Sequence, residues 1–392
     1  MKNINIHPAI SSIEDQLVRH RRHFHQYPEI AYQEKQTAGY IIEQLQGYDL
    51  QIAHPVALTG VVARLENGPG PCIALRADMD ALPIQETGDV PYKSLNDGVM
   101  HACGHDAHMA ILLGVVDALH QTRDQWNGTV KFVFQPAEEG PGGARQMIEE
   151  GVLEDPGVDA IFGLHVWNYQ EFGTIGVKPG PVLAAADEFI ITVKGTGGHG
   201  AMPQDTVDAI LVAAQLVVNL QTITSRSLNP LEAGVVSIGK IEGGDAFNII
   251  ANEVVLNGTA RSLRAKDRAL IRERLLEICA GIGATYGAEI GLDYHDGYPP
   301  TVNHPDMTEI VLAAARKIVG DGTGAPFLSM AGEDMSYYLE KVPGCFFFVG
   351  SGKATLAAET VPHHCSHFDI DERCLAVGAS VFVETVLSML SG

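Results

Sequence analysis

The sequence predicts an α/β protein: a central, largely parallel sheet with an inserted, smaller ferredoxin-like α+β domain. Three observations carry this expectation. Short, near-continuous apolar runs alternate with helical patterns in the first part of the chain, as strands covered on both faces do. Between residues 187 and 298 the order changes to β-α-β-β-α-β, the ferredoxin-like arrangement. After Pro299-Pro300 the first pattern resumes. The expected domains are 1–186 together with 299–392, and 187–298.

Taken in order, Ile10 to Gln26 and Glu34 to Gln46 have helical apolar spacing and form an N-terminal helical cap. Gly60–Leu65, Cys72–Arg76 and Thr129–Phe134 read as strands. Asp106 to His120 reads as a helix, with Ile111, Leu112, Val115, Val116 and Leu119 on its buried side. In the insert, Glu188–Val193 is a strand and Asp208 to Thr224 a helix. Strands at Gly234–Ile238 and Val254–Thr259, a helix from Asp267 to Gly281 and a strand at Ala288–Asp293 complete it. Cys345–Gly350 is a further core strand.

Composition excludes several classes. Hydrophobic residues make up 46% and charged residues 19%, which is the balance of an ordered globular chain. A formal net charge of -22 argues against nucleic acid or an anionic membrane surface as partner. No apolar run is long enough to span a membrane. The N-terminal Met1-Lys-Asn-Ile-Asn-Ile-His-Pro8 has no apolar signal core. Cysteines 72, 103, 279, 345, 365 and 374 are scattered, so reduced thiols and a cytoplasmic setting are expected.

The chemistry concentrates in two segments. Met100-His-Ala-Cys-Gly-His-Asp-Ala-His-Met-Ala110 and Phe134-Gln-Pro-Ala-Glu-Glu-Gly140 supply a thiol, imidazoles and paired carboxylates near predicted strand ends. Those are the donors a borderline divalent metal takes, with a carboxylate to spare for proton transfer. Open α/β sheets place sites at such strand ends. Cys103 and His105 are two apart and, in extended chain, project to one side. Glu138 and Glu139 follow Pro136 at an irregular strand end, one binding metal and the other holding the attacking water. His165 ends a strand begun at Asp159, as ligand or as core residue. His20, His23 and His25, beside Arg19, Arg21 and Arg22, read as a solvated helix face. His363 and His367 read as bystanders.

The ordered set of motifs is similar to one family. Arg76-Ala-Asp-Met-Asp-Ala-Leu-Pro83, the Cys103–His108 segment and Phe134–Glu139 come first. Gly163-Leu-His-Val166, Gly197-Gly-His-Gly-Ala-Met-Pro203, Asn248, Gly258-Thr-Ala-Arg261, Ala331-Gly-Glu-Asp-Met-Ser-Tyr-Tyr338 and His364 follow. Over essentially its full length the chain resembles the amidohydrolase branch of the M-twenty metallopeptidases. That branch includes hippurate hydrolases, auxin-conjugate hydrolases and N-acyl-amino-acid deacylases. The resemblance implies that Cys103, His105, Glu139, His165 and His364 hold two divalent ions per subunit (Mn, Zn, Co or Ni). It implies Glu138 as general base, His199 as the group stabilising the oxyanion, and Asn248 and Arg261 as substrate-binding. It further implies that Asp78 and Asp80 brace ligand histidines and that His108 is not itself a ligand. The inserted domain becomes a lid and dimerisation domain, with a homodimer or higher homo-oligomer expected. The implied substrate is a small N-acyl amino acid, cleaved to a carboxylic acid and an amino acid. A dipeptidase or carboxypeptidase on the same centre is the alternative, followed by a catalytically silent metal-binding protein.

Overall fold

A computed structural model describes residues 4–353 and 360–391, so Met1 to Asn3 at the N-terminus lie outside the described residues. The chain divides into two compact units: Met1–Gly180 with Val302–Phe327 and Asp334–Gly392, and Pro181–Thr301 with Leu328–Glu333.

The first unit is built on an eight-stranded mixed sheet. Its strand order is Gln51–Val56, Gly60–Asn67, Gly128–Gln135, Cys72–Asp78, Ala160–Glu171, Gly344–Gly352, Ile175–Gly176 and Thr323–Gly324. The four central strands, from Gly128–Gln135 to Gly344–Gly352, run parallel. Antiparallel partners lie on both sides of them. Every residue of Cys72–Asp78 is buried, as in a strand covered on both faces. The helix His105–Gln121 is buried along nearly all of its length, and Cys374–Leu390 packs beside it in the same core.

The predicted N-terminal helices appear as Pro8–Ser11, Glu14–Gln26 and Lys35–Leu45. The expected solvated face of the second helix holds for Arg19 but not for its neighbours. His20, Arg21 and His25 are buried, and His23 stacks on Tyr40 with ring centroids 3.7 Å apart. Arg21 Nε donates to Asp106 Oδ2 at 2.9 Å, and its other nitrogens reach Asp369 at 3.1 Å and Glu372 at 3.3 Å. His25 bridges Asp106 at 2.7 Å and Glu86 at 3.4 Å. These cations are buried because acids from distant segments meet them there.

The second unit has a four-stranded antiparallel sheet ordered Gly234–Gly243, Glu253–Ser262, Ala185–Lys194, Glu289–Tyr298. Helices Ala209–Thr222 and Ala265–Tyr286 share its apolar core. Asp208 caps the first by accepting hydrogen bonds from the Ile210 and Leu211 amides, which satisfies donors a helix start leaves free. Gly287, at φ 70°, ends the second. Among the described residues no helix is long and apolar enough to cross a membrane.

Candidate metal centre

The centre gathers where the parallel strands of the first unit end. Strand Cys72–Asp78 delivers Asp78 and then Asp80, and strand Gly128–Gln135 leads into Glu138 and Glu139. His165 is an exception: it sits within strand Ala160–Glu171, which continues six residues past it, and not at a strand end. Nor is the Cys103–His105 segment extended. Gly104, at φ 97°, turns the chain so that His105 opens the helix His105–Gln121. A Cβ on Gly104 would stand 2.4 Å from Val166 Cγ2, so this turn needs glycine for its space as well as its backbone. Ala137 at φ 58° and His364 at φ 61° are also left-handed. Each lies in a loop that carries a proposed metal-binding side chain, and such conformations persist only where surrounding contacts hold them.

Within the first unit, four overlapping groups of donors each lie within 4.8 Å of one another. They are Cys103, His105 and His165; Cys103, Glu139 and His364; His105, Glu138 and Glu139; and Asp78, His105 and His108. Cys103 Sγ is 3.4 Å from His165 Nε2 and 3.4 Å from His364 Nε2. His364 Nε2 is 3.1 Å from Glu139 Oε1. The five residues proposed as ligands therefore come together in the first unit, with Glu138 beside them.

Hydrogen bonds set which ring nitrogens are available. His105 Nδ1 donates to the Asp80 carbonyl at 2.9 Å, and His165 Nδ1 to the Val166 carbonyl at 2.6 Å. A carbonyl only accepts, so both rings carry a proton on Nδ1, and their neutral forms turn a lone pair outward on Nε2. His105 Nε2 is buried and has no hydrogen-bond partner among the described residues. His108 differs: Nδ1 donates to Asp78 at 2.5 Å while Nε2 accepts from the Val166 amide at 2.9 Å. Both of its nitrogens are occupied, and it acts as a brace.

Asp80 ties the loops together. Its carboxylate accepts from the amides of Glu138 at 3.0 Å and Glu139 at 2.9 Å, while its carbonyl holds His105. Asp78 is held by Arg76 at 2.7 Å and by His108. Burial alone would raise the Asp78 carboxyl, but His105, His108 and Arg76 hold it well below the usual range. Burial would likewise lower His105, yet Asp78, Asp80 and Glu139 push it up to about 10. Burial and the charges of Glu139 and Glu138 push the Cys103 thiol well up. Both effects mark a pocket whose field favours a cation, and a coordinated cation reverses the thiol's preference. Orphaned Nε2, thiol, imidazoles and carboxylates thus fit divalent ions of intermediate softness.

Three supporting roles escaped the sequence reading. Glu34, fully buried, accepts from the Ala137 amide at 3.0 Å and from Thr59. Arg76 joins Asp78 to Asp334 and Gln135; a charged residue inside an apolar strand run was the available signal. His363 is no bystander: Nδ1 donates to the Cys103 carbonyl and Nε2 accepts from the Asn168 amide, both at 3.2 Å.

His199, Asn248 and Arg261 belong to the second unit. His199 and Asn248 meet where the short strands Gly198–His199 and Ile249–Ile250 pair, and Gly200 N donates to the Asn248 carbonyl at 2.8 Å. His199 Nδ1 accepts from the Ala201 amide at 3.0 Å, which leaves Nε2 as an exposed N–H donor. Arg261 is half-buried on strand Glu253–Ser262. Burial lowers its affinity for a proton, against the pull of Asp187. That carboxylate is already engaged by Arg268 at 2.9 Å and Tyr294 at 2.6 Å. Among the described residues Arg261 makes no ion pair.

Comparison with known proteins agrees with this chemistry. The model of peptidase family M20/M25/M40 matches residues 74–388. YhaA of Bacillus subtilis (strain 168) is 43% identical over 388 residues, covering 98% of this chain and 97% of that one. N-acetyl-L-cysteine deacetylase of the same organism is 41% identical, covering 95% and 88%. A solved Bacillus subtilis structure, described as a dinuclear metal binding peptidase from the M20 family, superposes with a TM-score of 0.86. It is 36% identical, with 97% of this chain and 99% of that chain covered.

Proposed function

Because the chain belongs to peptidase family M20/M25/M40, metal-dependent hydrolases of amide bonds, we propose that it cleaves N-acyl amino acids to a carboxylic acid and an amino acid. The observation that carries this reading is the pair of donor triads sharing Cys103, with Glu138 beside them. Cys103, His105, Glu139, His165 and His364 hold two divalent ions, of Mn, Zn, Co or Ni. Ions held there supply Lewis-acid polarisation of the scissile carbonyl and acidification of the attacking water. Glu138 takes the proton from that water and returns it to the leaving amine. Asp78 and Asp80 keep the ligand loops in register.

His199 donates its Nε2 proton to the developing oxyanion. Asn248 helps hold the carbonyl, and Arg261 reads the free carboxylate of the amino-acid half. Its unpaired guanidinium supports that role, since a forked donor matches a carboxylate bidentately. The second unit is proposed as lid and homodimer contact. Exposed Ile210, Leu211 and Val218 on one helix support this, since apolar groups clustered at a surface favour association. Light scattering that returned a strict monomer would remove this part.

The test of the function is a panel of N-acetyl, N-benzoyl and indole-acetyl amino acids across these ions, beside dipeptides with a free α-amine. Hydrolysis of the acylated set, and loss of kcat/KM when the terminal carboxylate is amidated, are expected. Preference for the dipeptides would replace this reading with a dipeptidase. Equal rates on acid and amide would remove carboxylate reading by Arg261.

A further inference from the structure

The face of strand Ala160–Glu171 that presents His165 continues outward as a run of aromatic rings. Side chains two apart on a strand share a face, so His165, Trp167 and Tyr169 follow one another. The His165 and Trp167 rings are 5.3 Å apart, and Tyr169 lies 5.2 Å beyond Trp167. Phe327 then stacks on Tyr169 at 5.3 Å and 16°. Exposure rises along the run, from 6% at Trp167 to 39% at Tyr169 and 52% at Phe327. A stacked aromatic pair held this open to solvent is not core packing. The Trp167 Nε1 proton adds a second observation: it is buried and meets no acceptor among the described residues. Indole N–H is donor only, and a buried donor left unpaired is unfavourable.

We propose that Trp167, Tyr169 and Phe327 form the subsite for a planar aryl group on the acyl side of the substrate, with the Trp167 N–H donating to an acceptor that group carries. This rests on the N-acyl-amino-acid reading above. The acyl half is favoured because the run carries no cation to meet a carboxylate. Reach agrees: a step of two residues along a strand is about 6.6 Å, the span from a carbonyl on the ions to a ring one bond or one methylene away.

The chain has two tryptophans, and Trp126 is buried with its N–H on the Leu119 carbonyl, so Trp167 is the responsive emitter. Benzoate and acetate, the corresponding products, are titrated into the protein with and without Zn²⁺ while tryptophan emission is followed. A saturable change with benzoate but not acetate, absent in Trp167→Phe, is expected. In parallel, the ratio of kcat/KM for N-benzoyl over N-acetyl substrate should fall about five- to tenfold in Trp167→Leu and Phe327→Ala, the size of an aromatic contact. An unchanged ratio, or benzoate without effect on emission, overturns the subsite. If wild-type protein hydrolyses neither substrate, the N-acyl reading fails, and the benzoate titration still decides the subsite.

Discussion

At the scale of single residues, Glu138 and Cys103 separate two kinds of loss. Glu138→Gln keeps the side chain's shape and removes only its capacity to take a proton. Ion content by elemental analysis should stay near that of wild type while kcat falls by about 10²–10⁴. Cys103→Ala removes the donor common to two triads, so ion content itself should fall. A Glu138→Gln variant with near-normal kcat would move the base elsewhere. Unchanged ion content in Cys103→Ala would strike that thiol from the ligands.

At the scale of elements, the helix Glu14–Gln26 is fastened to the first turn of His105–Gln121 through ions and not only through apolar packing. Arg21 and Asp106 are both wholly buried. Removing one partner strands the other's charge, so Arg21→Met should cost about 3–5 kcal/mol, read from urea midpoints. His25 tests the sign of the same cluster. Burial and Arg21 both disfavour its protonation, but hydrogen bonds to Asp106 and Glu86 overcome them and raise its pKa. A raised folded pKa gives stability that is complete below the unfolded value of about 6.5 and is lost as pH rises through the folded value. The stability gap between wild type and His25→Gln should therefore shrink as pH rises above about 6.5. A gap that widened would show that neutral His25 is what the cluster needs. Legibility in the sequence follows the same division. Strands Cys72–Asp78 and Gly344–Gly352 could be read because they are buried almost throughout, which leaves a largely apolar run. Strand Gln51–Val56 could not, since it is an almost wholly exposed edge with a proline in it. The donor types of the centre stand in its motifs. The buried state of Arg21 does not, because its partners lie 85, 348 and 351 residues away.

At the scale of the whole molecule, the first unit gathers several acids about the candidate metal centre. Asp78, Asp80, Glu138 and Glu139 converge on one loop cluster in a chain of formal charge -22. Ion binding should therefore raise the melting temperature, with about 2.7 kcal/mol gained at one hundred times Kd. Scanning calorimetry before and after chelation measures this. A melting temperature indifferent to Zn²⁺, Mn²⁺ and Co²⁺ would mean that the cluster does not bind them in the folded state.

Val166 looks like an ordinary core aliphatic, yet its peptide groups decide the state of two histidines. Its carbonyl accepts a hydrogen bond from His165 Nδ1 and so leaves Nε2 of that ring free of the main chain. Its amide fills Nε2 of His108 and so closes that one. Its methyl group, meanwhile, forbids anything larger than glycine at position 104. The path of the main chain thus separates the proposed ligand His165 from the brace His108. Anyone grafting this centre onto another scaffold would have to carry over the course of the backbone here. Copying the donor side chains alone would leave the histidines free to choose the wrong tautomer.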